Sequence, residues 1–182
     1  MTEQSDVPLP LAYPEQPNPP ARPTDRDANV RLAAVNLALP EIIEWLGKDF
    51  DHNPDRDAVI CDLLVVLGEH DGYRAARLLE SECGWVGADE NLVDILAGLS
   101  STLMAAEHAA VKVWAEANGI RPRLSIGDTI ETPHGIGTIV RIDEDQASYV
   151  VETEEHQRKY GPGRGGVIVA YEKCAAAKAE AA

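Results

Sequence analysis

The sequence predicts an α+β protein made of an N-terminal disordered proline-rich arm, an all-α helical bundle and a small C-terminal β-barrel. Three observations carry this reading. Seven of the 12 prolines fall within residues 1–27, apolar residues recur at spacings of three and four through residues 28–119, and after Pro122 the period changes to two. With 182 residues, 45% of them hydrophobic, the chain can form one ordinary domain or two small ones, each with a core.

In the arm, prolines at 8, 10, 14, 17, 19, 20 and 23 alternate with few large apolar residues, so residues 1–27 can build neither a helix nor a packed sheet. They read either as a flexible tail or as a segment that lies along another protein in polyproline form.

Residues 28–119 carry helical punctuation throughout. A helix over 28–39 should meet a second short helix at Pro40, placed at its first turn and closed by Gly47. Asn53 and Pro54 form an N-cap pair before the apolar run 58–67, which ends in Gly68. A shorter helix follows over 73–83 and stops at Gly84. Leu92, Leu96, Leu99, Leu103, Ala106, Ala110 and Val113 draw one stripe along a single long helix, 89–118, with Asn118 and Gly119 as its C-cap. That stripe is the seam of a four- or five-helix bundle, or a dimerisation surface.

Beyond Pro122, alternating runs predict strands at 129–131, 138–142, 148–152 and 167–171, separated by turn-forming segments that include a glycine-rich stretch, 161–166. About fifty such residues fit an SH3-like barrel over 120–174, followed by an alanine-rich tail, 175–182. The cap at Gly119 and the break at Pro122 leave little continuous structure crossing the boundary, so the barrel is expected to fold by itself. Ile136, Thr138 and Val140 alternate and are expected to face its interior.

Thirty-one acidic against 16 basic residues give a net charge of -15, which repels phosphate backbones and anionic lipid. The acid is concentrated in residues 28–119, with sixteen acids and six bases. The N-terminus shows no basic and apolar leader, and no run approaches the roughly 18 apolar residues of a membrane helix. A cytoplasmic protein is expected, or a virion component if phage-encoded. Three widely spaced cysteines, Cys61, Cys83 and Cys174, read as plain thiols.

Gly127-Asp128-Thr129-Ile130 followed by His134-Gly135-Ile136-Gly137-Thr138-Ile139-Val140 resembles the opening of two related Tudor or SH3-like families. These are the RNA-polymerase-interacting domain of CarD-type regulators and transcription-repair coupling factors, and the C-terminal domain of UvrD-type helicases. The resemblance covers residues 127–142. It implies a barrel that docks to the polymerase β subunit through exposed strands and performs no chemistry.

The candidate sites for chemistry are few. The acidic segment 49–57 alternates oxygen ligands, but a calcium loop would need glycine where Pro54 or Arg56 stands, so it reads as a helix-capping loop. Gly161, Gly163 and Gly166 match G-x-G-x-x-G, yet the string leads into a strand instead of opening a helix, which excludes the dinucleotide reading. No histidine pairs at ligand spacing and no nucleophile motif occurs, so neither catalytic residues, nor a metal, nor a cofactor are expected. Trp45, Trp85 and Trp114 all lie in the bundle region, as core or as a binding patch.

The remaining candidate is a basic hairpin loop in which Arg158, Lys159 and Arg164 flank Tyr160, suited to an acidic partner by charge and stacking. The reading that follows is a non-enzymatic adaptor that docks to a larger machine, such as RNA polymerase or a helicase in transcription or DNA repair. Two alternatives are a structural component of a phage or similar assembly, whose partners are its neighbours, and an acidic inhibitor that imitates DNA. Direct nucleic-acid contact is confined to the basic loop, and no membrane partner is expected.

Overall fold

The computed structural model describes residues 19–49 and 55–174. The fold is α+β: five helices packed on one another, then a four-stranded antiparallel sheet curled into a half-barrel. The tail 175–182 and most of the arm, residues 1–18, lie outside the described residues. Residues 19–23 form neither helix nor strand and are tied to the body of the protein through Pro20 and Arg22.

Helix α1 spans Ala28–Asp49 without a break, so the two short helices expected to meet at Pro40 are one. Proline costs a helix interior about 3 kcal/mol through a lost hydrogen bond and a clash. The opposing term is larger: Val30, Ala34, Val35, Leu39, Ile42 and Trp45 are buried on one face that spans both halves, at about 1.5–3 kcal/mol for each large side chain. Pro40 itself is exposed, where its ring meets solvent and not core.

Helix α2 (Arg56–Val66) is capped by Asp55, whose carboxylate accepts from Asp57 N at 3.1 Å. The cap therefore lies beyond Asn53 and Pro54, which are outside the described residues. Helix α3 (Gly72–Glu82) starts at Asp71, which accepts from Tyr73 N and Arg74 N. A Cβ on Gly72 would stand 2.1 Å from the carbonyl of Val93, so α3 meets its neighbour backbone to backbone.

The single long helix expected over 89–118 is instead two, α4 (Glu90–Ala97) and α5 (Leu99–Ala117), parted at Gly98. Leu96 and Leu99 are both fully buried on either side of that glycine. Helix α4 packs chiefly on α3 and α5 on α1, so one straight rod could not serve both partners. The apolar stripe also shifts along α5. Leu99 and Ala106 belong to the core of the helices, whereas Val111, Trp114 and Ala115 belong to the core of the sheet. Val113, expected on the stripe, is 66% exposed.

Strands β1 (Thr129–Thr132), β2 (Gly135–Asp143), β3 (Ser148–Thr153) and β4 (Val167–Ala170) pair in the order β1-β2-β3-β4. The inward face of β2 is not the expected one: Ile136 and Val140 are 63% and 41% exposed, while Ile139 is fully buried. Gly137 explains the inversion. A Cβ there would lie 2.7 Å from both Glu152 O and Val151 Cγ1, so the tight inner position takes the residue without a side chain and its neighbours turn outward. Val140 is the extra residue at a register shift between Ile139 and Arg141.

Tyr149 lies in the sheet core against Tyr171, ring centroids 4.6 Å apart, and its hydroxyl accepts from Arg123 N and Leu124 N. Burial pushes the Tyr171 phenol up to about 12. A 3-10 turn, Tyr171–Lys173, ends the described chain.

Candidate functional site

The four residues singled out by charge lie together at one end of the half-barrel, but three of them are helical. Between β3 and β4 the chain forms helix α6 (Glu154–Tyr160), with Arg158 and Lys159 in its last turn and Tyr160 as its final residue. Only Arg164 sits in the glycine-rich segment, 161–166, that leads to β4. The expected basic hairpin loop is thus a helix end followed by a short loop.

Local chemistry explains the helix. Thr153 accepts from His156 N through Oγ1 at 3.2 Å as an N-cap, and Glu154 and Glu155 occupy the first turn. Acids first and bases last complement the helix dipole at both ends. No residue of α6 is buried, so the helix has no apolar period to reveal it.

Two contacts fix the following loop on the helix. Glu152 Oε1 accepts from Gly163 N at 2.6 Å, and the His156 ring nitrogen Nε2 stands 3.3 Å from Arg164 O. The Gly163 amide holds the Glu152 carboxyl below its ordinary value, with a smaller contribution from Gln157. His156 also packs on Tyr160, ring centroids 4.7 Å apart. Lys159 Nζ lies 5.0 Å from the centre of the Tyr160 ring, and the Tyr160 hydroxyl raises the lysine's pKa. Arg158, Lys159, Tyr160 and Arg164 are all exposed. The result is an exposed tip in which Lys159 lies over the Tyr160 ring, with Arg158 next to it in the last turn of α6 and Arg164 in the loop that folds back on the helix.

Beside the tip lies a cleft of about 310 Å³ whose lining includes His134, Thr153, Glu155, His156, Lys159 and Tyr160. His134 comes from the β1–β2 turn and stands 4.0 Å from Glu155. That the two histidines share a cleft is not legible in the sequence, because two strands separate them. The one available signal for α6 was Thr153 ahead of two glutamates.

No family model, no curated protein and no solved structure matches this chain.

Among the described residues, no group of three His, Cys, Asp or Glu side chains is placed to hold a metal. No helix among them is long and apolar enough to cross a membrane. Segment 161–166 follows a helix and enters β4 directly. Of the acidic segment 49–57, residues 50–54 lie outside the described chain.

The tryptophans have separate roles. Trp45 and Trp85 stack at 6.2 Å with planes 8° apart, and their indoles donate to Asp89 and Asp62. Trp114 lies in the core of the sheet and donates to Pro20 O.

Proposed function

We propose that this chain is a non-enzymatic docking protein whose half-barrel, with its helix α6, engages an acidic surface of a larger machine. The observation that carries the reading is the tip, where Arg158, Lys159, Tyr160 and Arg164 are held together by Glu152, Thr153 and His156 on an otherwise acidic protein. Loop and helix are fixed before any partner arrives, which lowers the ordering cost of binding. A protein surface suits the tip better than a phosphate backbone, because the net charge of -15 opposes long polyanions while three cations suffice for a local acidic patch.

RNA polymerase is the first partner to test. The resemblance of residues 127–142 to polymerase-docking Tudor and SH3-like domains supports it, as do the outward-facing Ile136 on β2 and Ile168 on the edge strand β4. The test is affinity retrieval from native cells at about 50 and about 300 mM salt, with the retained proteins identified by mass spectrometry. One large complex, retained at low salt and shed at high salt, is the expected result. A salt-independent or empty eluate contradicts the reading.

A structural role in an assembly is the second reading, favoured by one observation: a proline-rich segment of this chain is ordered by packing on a folded surface. Multimers in sedimentation would select it over the monomer or dimer expected of an adaptor.

A further inference from the structure

We propose that the junction between the end of α5 and the half-barrel is a recognition groove for an extended Pro-Pro-x-Arg-Pro segment, which this chain fills with its own residues 19–23. The groove lies at the other end of β2 from the tip and is independent of it.

The segment is bound as a peptide ligand would be. Residues 19–23 form no helix and no strand. Trp114 donates from its indole to Pro20 O at 3.0 Å. Prolines carry carbonyls but no N–H, so a groove that reads them must supply donors and flat apolar surface, and an indole supplies both. Arg22 is the second anchor. Its guanidinium lies 5.8 Å from the centre of the Trp114 ring, pairs with Glu172 at 3.2 Å, and donates to the carbonyls of Gln146 and Ala147. The Ala147 carbonyl is offered by a β2–β3 turn in which Ala147 takes the uncommon positive φ of 42°.

These partners come from three places: α5, the β2–β3 turn and the 3-10 turn. They lie 94 to 150 positions from the residues they hold. None of the contacts depends on the covalent link to α1. That link is a closed turn of its own, with Asp27 N donating to Thr24 O and Thr24 N to the Asp27 carboxylate. Pro19 itself lines a cavity of about 180 Å³, together with Ile120, Leu124, Tyr149 and Tyr171. Fixed proline dihedrals reduce the entropy such a segment loses on docking. A partner carrying a similar segment enters by displacing residues 19–23.

The test uses the full chain and a capped synthetic peptide, Pro-Pro-Ala-Arg-Pro-Thr. Arg22→Ala removes the chain's own anchor and leaves the groove intact. Titration calorimetry is expected to show the peptide binding this variant at least about tenfold more tightly than wild type, whose own segment competes at an effective concentration on the order of millimolar. Adding Trp114→Phe, which removes the indole donor, is expected to weaken peptide binding about fivefold or more. A peptide with alanine in place of arginine should not bind. If Arg22→Ala does not fold, Arg22→Lys takes its place, since it keeps the stem and charge but loses the planar fork. The proposal is overturned if the peptide fails to bind the folded variant. It is also overturned if wild type and variant bind it equally, or if Trp114→Phe leaves its affinity unchanged.

Discussion

Trp114 and Pro20 are joined by a 3.0 Å hydrogen bond across 94 positions of sequence, and through it the start of the described chain, the end of α5 and the half-barrel become one packed unit. The sheet core does not begin at Gly119. Val111, Trp114 and Ala115 enter it from the helix, together with Ile120.

That continuity gives a first expectation. A fragment of residues 120–174 lacks three of the buried side chains of its core, so it should show a less dispersed amide spectrum and a lower melting temperature than a fragment of residues 106–174. Equal dispersion and stability would mean that the last turns of α5 only rest on the sheet.

Glycine substitutions separate space from propensity. Gly137→Ala places a Cβ 2.7 Å from the carbonyl of Glu152 in the middle of the sheet, and should cost on the order of 1–3 kcal/mol by urea denaturation. Gly47→Ala, in α1 with nothing within 4 Å, should stabilise by about 0.5 kcal/mol. The two effects should have opposite signs.

Leu99 is fully buried just beyond the break at Gly98. Leu99→Ala should cost about 2–5 kcal/mol through lost transfer energy and a cavity, and Leu99→Asp more, because an unpaired carboxylate would be buried. An unchanged urea midpoint for Leu99→Ala would show that this part of the stripe is not core.

Much of this architecture was legible because local signals and packing agree. The stops at Gly84 and Asn118-Gly119 and the four alternating runs all stand close to where the chain ends or begins its elements. The failures have separate physical causes. Pro40 suggests a break by propensity, but the buried face that spans it outweighs the lost bond. Gly98 is invisible inside a helical period because one glycine is tolerated there, and only the different partners of α4 and α5 require the break. On β2 both faces carry a large apolar residue, so alternation alone cannot choose between them, and the close approach at Gly137 does. For the site, charge composition picked out the four exposed residues. Helix α6 escaped because it buries nothing, and the Glu152 and His156 contacts escaped because they depend on how the loop folds back.

Acid should loosen the protein at identifiable points. Backbone hydrogen bonding at Leu92, aided by Trp45, holds the Asp89 carboxyl below its ordinary 3.8, and the Gly163 amide does the same for Glu152 below its ordinary 4.5. A depressed folded pKa contributes stability that is complete above the unfolded value and is lost as pH falls through the folded one. The melting temperature should therefore fall as pH drops below about 4.5, and Asp89→Asn should flatten that acid limb. In Glu152→Gln, the amide of Gly163 should exchange faster near neutral pH. An acid limb unchanged by Asp89→Asn would remove Asp89 from this explanation.

The central claim is that the α6 tip is the docking surface, and the most direct measurement compares wild type with Arg158→Ser/Lys159→Ser/Arg164→Ser in retrieval from native extract at low salt. None of the three side chains is buried, so circular dichroism and melting should match wild type. The retained complex should fall by about tenfold or more, and the residual binding should lose its salt dependence, because exposed charge contacts are what salt screens. Retrieval of the same complex in the same amount by the triple variant would contradict the claim and move the docking surface to the outer face of the sheet or to the helices.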